Sequence, residues 1–208
     1  MADQATKQHW DDVYRRKGPQ DVSWFQPRLG VSLALIEKIG LEPSSRVIDV
    51  GGGTSTLVDD LLSRGFADLT VLDISDQALA ATRERLGAAA DAVTWLAADV
   101  TAAELPDAHY DLWHDRAVFH FLTDEAARRR YVALAQRALK PGGHIIVATF
   151  GVHGPEQCSG LDVVRYDPDG LHAEFGAPFR KMEQREESHT TPWGAEQEFV
   201  YCYCRRTD

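Results

Sequence analysis

The 208-residue chain holds only three cysteines, two methionines and five tryptophans, and its 22 basic residues are outnumbered by 32 acidic ones. The resulting formal charge of −10 argues against nucleic acid or an anionic lipid surface as partner, because affinity for phosphate comes from basic surface. No apolar run approaches the roughly 18 residues of a membrane helix. The opening MADQATKQHW lacks the apolar core of a signal peptide. Three cysteines are an odd number, and Cys202 and Cys204 sit too close in sequence for an easy mutual bridge. No disulfide framework is visible, so a reducing, cytoplasmic setting is expected. Internal repeats and low-complexity tracts are absent as well.

What is present is an ordinary globular composition, 44% hydrophobic and 26% charged, long enough to bury a core without staples. Residues 46–50 (RVIDV) form a short apolar run ending in Gly51-Gly52-Gly53, as a buried parallel strand would. A helix is expected over 54–63, a strand over 69–73, and a helix capped by Ser75 or Asp76 that runs to about Leu86. Strands follow near 93–97 and 110–114, then a helix from about Thr123 to Leu139, then a strand at 144–150 (HIIVATF). Strands separated by helical segments make a parallel sheet with right-handed crossovers. Residues 151–168 read as a polar loop over the domain, followed by a short helix at 168–176. Two alternating segments, 178–189 and 196–205, should then pair antiparallel across a short turn.

The N-terminal forty residues read as two helices laid over the sheet. Trp10, Val13 and Tyr14 share a face of the first, and Leu33, Ile36 and Ile39 share a face of the second. The connector between them carries Trp24 and Phe25, which either fill the core or roof a pocket. The expected organisation is one α/β domain over 1–208 with a Rossmann-like, seven-stranded sheet, mostly parallel, with an antiparallel C-terminal strand and helices on both faces. Residues 1–45 form a helical cover, 46–150 a cofactor-binding core, and 151–208 a lid loop with the antiparallel strands.

The strand, glycine turn and helix start at Val47–Ser55 let a backbone approach a ligand closely. A dinucleotide fingerprint wants G-x-G-x-x-G, and Thr56 stands where its third glycine belongs. More telling are three acids at successive strand ends, Asp49, Asp73 and Asp99, which a parallel sheet lines up along one crevice. A carboxylate suits a ribose diol, an acceptor suits an adenine amino group, and gathered carboxylates favour a cationic ligand over a pyrophosphate.

The stretches VIDVGGGTS, VLDIS, AADV, YDLWHDRAVFHFL and LKPGGHIIVATF resemble, in order and spacing, the motif series of class I S-adenosylmethionine-dependent methyltransferases. The resemblance implies S-adenosylmethionine as cofactor. It places Asp49, Gly51 and Gly53 at the methionine end, Asp73 on the ribose hydroxyls, Ile74 against adenine and Asp99 on the adenine amino group, with Val100 among the cofactor contacts. Ser55 replaces the family's third motif glycine. His114-Asp115-Arg116-Ala117-Val118-Phe119-His120 is similar to the D-R-x-x-F-H stretch of small bacterial methyltransferases related to the thiopurine and tellurite-resistance type, which implies a small, soft acceptor such as a thiol or metalloid. The N-terminal W-D-x-x-Y…W-F pattern, Trp10 to Tyr14 and then Trp24-Phe25, is similar instead to elongation-factor lysine methyltransferases, so a protein acceptor is the alternative. A non-catalytic domain that binds the cofactor is the third reading.

By position, Asp115, His120 and His114 are the expected catalytic residues, one of them taking a proton from the acceptor. Trp24, Phe25, Arg116, Phe119, His153 and Arg165 are the expected substrate contacts. Cys202 and Cys204 fall on one face of a strand and with His189 could be drawn as a soft-metal site. Strand burial explains them more simply, and no metal is expected.

Overall fold

The computed structural model describes residues 4–207. Nine strands and six α-helices alternate along them. The strands are β1 (Arg46–Val50), β2 (Asp68–Asp73), β3 (Val93–Ala97), β4 (Tyr110–Arg116), β5 (Leu139–Phe150), β6 (Gln157–Cys158), β7 (Leu161–Asp162), β8 (Phe179–Thr190) and β9 (Glu196–Arg206). The helices are α1 (Gln4–Arg16), α2 (Gly30–Ile39), α3 (Leu57–Ser63), α4 (Asp76–Leu86), α5 (Glu125–Ala138) and α6 (Pro168–Phe175). Seven strands form one sheet in the order β3-β2-β1-β4-β5-β9-β8. β9 alone runs against the others, pairing antiparallel with both β5 and β8. This is the α/β, Rossmann-like sheet read from the sequence.

The largely buried runs of β1, β2 and the second half of β5 are explained by helices on both faces. Along β9 the side chains alternate between two clusters. Phe199, Tyr201 and Tyr203 join Leu33, Ile36, Leu57 and Leu61 on one face. Val200, Cys202 and Cys204 join Tyr131, Leu134, Leu171 and Phe175 on the other. Cys202 and Cys204 are thus buried core residues, and no cluster of three or more metal-ligating side chains occurs among the described residues. No helix among them is long and apolar enough to cross a membrane.

Several boundaries differ from the sequence reading, each for a local reason. α3 starts at Leu57, not Thr54, because the Arg85 guanidinium holds the Thr54 and Ser55 carbonyls at 3.1 and 2.6 Å and keeps them in the glycine turn. α5 starts at Glu125, its N-terminus capped by Asp124, which accepts from the Ala127 amide at 2.9 Å. β4 continues two residues past 114, to Arg116. The 151–168 segment is tied to the body rather than free. It carries the β6–β7 ladder, and the amides of Val164 and Tyr166 donate to His120 O and Phe150 O at 2.8 and 3.0 Å.

α1 has no fully buried residue and seats on the start of α4 through polar contacts. Lys7 reaches Asp76 at 2.6 Å and the Ile74 carbonyl at 3.3 Å. Asp11 accepts from the Ser75 hydroxyl at 2.7 Å, and Ser75 in turn caps α4.

Candidate functional site

The carboxyl ends of β1 to β4 open on a common crevice, as parallel sheets with helical crossovers dictate. A cavity of about 540 Å³ lies there. Its floor is Val50 and Gly51 at the end of β1, Leu72, Asp73 and Ile74 at the end of β2, Asp99 and Val100 after β3, and Arg116, Ala117 and Val118 at the end of β4. Trp10 and Tyr14 from α1, Trp24 from the connector and Phe121 close it from above. Trp10 holds that roof together, its ring centroid 5.0 Å from Phe121, 5.8 Å from Trp24 and 6.3 Å from Tyr14.

The turn after β1 requires glycine at two points. Gly51 has φ +67°, and a Cβ there would lie 1.9 Å from Val118 Cγ2. Gly53 has φ +27°, and a Cβ there would lie 2.7 Å from Asp73 Oδ2 and 3.0 Å from the Tyr14 hydroxyl. Only a bare backbone threads between these walls.

Asp73 is buried, with its Oδ1 accepting from the Ser75 amide at 2.8 Å. Burial, aided by the nearby Asp49 charge, pushes its carboxyl up to about 7. A buried carboxyl with hydrogen-bonding capacity to spare, at the edge of an apolar cavity, is suited to ligand hydroxyls. Asp99 uses Oδ1 for both the amide and the hydroxyl of Thr101, at 2.7 and 2.8 Å, which leaves its second oxygen for a ligand amino group. Asp49 lies deeper. Its Oδ1 meets His114 Nδ1 at 2.7 Å, while its buried Oδ2 has no hydrogen-bond partner. The bare turn, the two acceptors and the orphaned Asp49 oxygen fit a nucleoside carrying a cationic tail.

The expected catalytic trio does not line this cavity. His114 is buried with both ring nitrogens engaged, by Asp49 and by Ser32 Oγ at 2.8 Å. Asp115 is fully buried and staples the turn after β4, accepting from the amides of Val118 and Phe119 at 2.9 and 3.1 Å and from the Tyr131 hydroxyl at 2.6 Å. Burial raises its carboxyl to about 7. His120 is fully buried between the rings of Phe121 and Phe150, and its Nδ1 accepts from the Phe150 amide at 3.2 Å. Burial, then the Arg116 charge, depresses it to about 3. The reason is register. β4 runs two residues further than expected, and Ala117 at φ +74° turns Val118 toward the crevice.

The expected substrate contacts divide in the same way. Trp24 and Arg116 line the cavity, and both also border a second pocket of about 30 Å³, with Phe25 and Gly51. Phe119 is core, packed on Tyr131, Phe175 and Tyr166. His153 is exposed, and only its amide is engaged, by Glu198 at 2.9 Å. Arg165 binds its own loop, through the Val152 and Gly154 carbonyls and Glu156 at 2.9 Å. Sequence reasoning did not assign Trp10, Tyr14, Phe121 or Cys158 to the site. The signal for the first two was an aromatic face on an otherwise polar helix.

The fold is that of class I S-adenosylmethionine-dependent methyltransferases. Residues 47–143 match the methyltransferase domain family. Over 146 residues the chain is 28% identical to the eEF1A lysine and N-terminal methyltransferase of Mus musculus, covering 66% of this chain and 20% of that protein. It thus spans about one fifth of the length of that relative. Over 121 residues it is 34% identical to the ubiquinone/menaquinone biosynthesis C-methyltransferase of Shewanella halifaxensis, covering 55% of this chain and 46% of the other. Among solved structures, one concerned with conversion of a disulfide bond into a thioacetal during echinomycin biosynthesis superposes with a TM-score of 0.76 at 20% identity, covering 97% of this chain and 92% of that one. The 1,6-didemethyltoxoflavin-N1-methyltransferase of Burkholderia thailandensis, holding S-adenosylhomocysteine, gives 0.67 at 19% identity, covering 98% and 85%. At such identities these structures establish the fold.

Proposed function

We propose that the chain transfers a methyl group from S-adenosylmethionine to a small, soft nucleophile, a thiol, metalloid or similar group, that enters the cleft already ionised or with a free lone pair. The bound cofactor would supply an electrophilic methyl on a sulfonium. Asp73 would accept from the ribose hydroxyls and Asp99 from the adenine amino group, with Ile74 and Val100 against the base. Gly51 and Gly53 would admit the methionine end beside the free oxygen of Asp49.

The observation that carries the acceptor class is that no histidine is among the residues lining the cavity. His114, Asp115 and His120 lie outside that lining, and of the acids within it Asp73 and Asp99 are taken up by the nucleoside in this reading while Asp124 caps α5, so no lining acid is left to serve the acceptor as general base. In-line displacement on a sulfonium needs alignment above all, and orientation with water exclusion supplies several kcal/mol of barrier lowering. An acceptor that needs no deprotonation suits such a site. The aromatic roof of Trp10, Tyr14, Trp24 and Phe121 supports exclusion of water and favours a small, polarisable guest.

A protein-lysine acceptor is the second reading, supported by the Trp10–Tyr14 and Trp24–Phe25 pattern and by the similarity to the eEF1A methyltransferases. Incubation with methyl-labelled S-adenosylmethionine and three separate acceptor sets distinguishes them: thiols with metalloid oxyanions, purified elongation factor, and a cell lysate. Label in a small molecule supports the proposal. Label in protein alone replaces it with the second reading, and tight cofactor binding with no label in any set replaces both with a non-catalytic cofactor-binding domain.

A further inference from the structure

The connector between α1 and α2 has no regular structure at Ser23–Gln26, yet three of its carbonyls are held by side chains from β8, the end of β4 and the N-cap of α3. His189 Nε2 meets Ser23 O at 2.6 Å, Arg116 Nη1 meets Trp24 O at 3.0 Å, and Thr56 Oγ1 meets Gln26 O at 3.2 Å. The holders are themselves fixed. Arg116 is buried, its guanidinium 4.2 Å above the Phe199 ring, its Nε on the Tyr201 hydroxyl at 3.1 Å and its Nη2 3.6 Å from Glu187 Oε2. Glu187 also accepts from Tyr201 at 2.7 Å and from Gln26 Nε2 at 2.9 Å.

That last bond sets a relay. An ionised Glu187 requires the Gln26 amide to present its nitrogen, and the same nitrogen lies 3.1 Å from His189 Nδ1. His189 Nδ1 must then accept, which leaves the ring proton on Nε2, where it donates to Ser23 O. Glu187 and His189 are two apart on β8 and so share a face. A desolvated arginine placed among such partners is costly to leave unpaired, so the connector has one low-energy position. In that position the Trp24 ring lies on the cavity wall.

We infer that Arg116, Glu187 and His189 form a clamp that fixes the Trp24 connector over the cleft, acting as positioning residues for the acceptor and not as its ligands. The inference rests on the reading of the cleft as the methyl-transfer site and adds what sets the shape of its acceptor side. Specificity for the acceptor then depends on β8, an edge strand at the opposite side of the sheet from the strand ends that bind the nucleoside.

Acrylamide quenching of Trp24 tests this without any acceptor, so its failure is separate from a failed search for methylated product. The Trp24 signal is the difference between each protein and the same protein carrying Trp24→Phe. Glu187→Gln and His189→Ala should each raise the quenching constant of that signal about twofold or more, by opening the connector locally. Affinity for S-adenosylhomocysteine should hold within about threefold, since the nucleoside contacts lie elsewhere. His189→Gln, which keeps a donor for Ser23 O, should restore most of the protection. Unchanged quenching in the folded variants overturns the clamp. So does quenching that rises only in step with lost affinity for S-adenosylhomocysteine, which would mean collapse of the whole cleft. If Glu187→Gln does not fold, the His189→Ala and His189→Gln pair carries the same comparison.

Discussion

Replacing Asp115 by alanine separates a structural from a catalytic carboxylate. The side chain satisfies three donors, the part-buried amide of Val118 and the buried Phe119 amide and Tyr131 hydroxyl. Each donor left unpaired costs about 1–3 kcal/mol. Part of this is offset because the carboxyl is itself costly to bury, as its rise to about 7 shows. A net loss of about 3–5 kcal/mol is expected, and for a domain of this size that lowers Tm by on the order of 10 °C. Differential scanning calorimetry reads the change directly. A Tyr131→Phe background removes one of the orphaned donors, so the double variant should be more stable than the sum of the singles by about 1 kcal/mol. Because the stapled turn carries Val118 into the cleft, cofactor affinity should fall along with stability. A Tm within about one degree of the parent, with intact cofactor affinity and turnover down about a hundredfold or more, would refute the reasoning and return Asp115 to the chemistry.

Other expectations follow from the same geometry. Asp73→Asn should weaken S-adenosylhomocysteine binding by about 1.5–3 kcal/mol, roughly ten- to a hundredfold, in isothermal titration calorimetry. Asp73 sits near 7 in the folded protein against 3.8 for an ordinary aspartate, so its ionised, accepting form is lost as pH falls through 7. Parent affinity should therefore drop by up to about tenfold per unit below that point, whereas Asp73→Asn should stay flat. The same shift removes stability from the cofactor-free protein as pH rises from about 4 to 7, because there the folded state holds a proton that the unfolded chain has released. Gly51→Ala should abolish measurable cofactor binding, while Gly40→Ala, also at positive φ (+73°) but with no atom within 4 Å of the added methyl, should cost only about 1 kcal/mol. In hydrogen exchange, the amides of Val164 and Tyr166, which bond to His120 and Phe150, should be protected relative to Gly160 if the 151–168 segment is tied down as described.

The alternation of strands and helices was legible because its punctuation is local. Glycine after β1, serine before α4 and Lys140-Pro141-Gly142-Gly143 near the start of β5 each act within a turn or two. Asp73 and Asp99 were legible because strand ends in a parallel sheet fall on one side whatever the packing. The segment from His114 to His120 was not, since its outcome depends on where β4 stops. Two further residues of strand and one positive φ at Ala117 exchange which side chains face inward. Arg116 illustrates a related limit. Its partners Glu187 and Tyr201 lie on β8 and β9, some seventy to eighty-five positions away, and no local pattern announces them.

The seat of α1 has a thermodynamic consequence. Asp73 accepts from the Ser75 amide, and the Ser75 hydroxyl donates to Asp11 on α1, so the carboxylate at the end of β2 and the covering helix are joined through one serine. A ligand that fixes Asp73 in its ionised form therefore also steadies the anchor of α1. Linkage is reciprocal: whatever factor the nucleoside adds to the docking of the helix, the docked helix returns to the retention of the nucleoside. Part of that anchor is the Lys7–Asp76 pair at 2.6 Å, with both side chains over a third exposed, and exposed pairs weaken as salt rises. Ionic strength thus becomes a handle on how long the nucleoside resides, applied at a surface that never touches it.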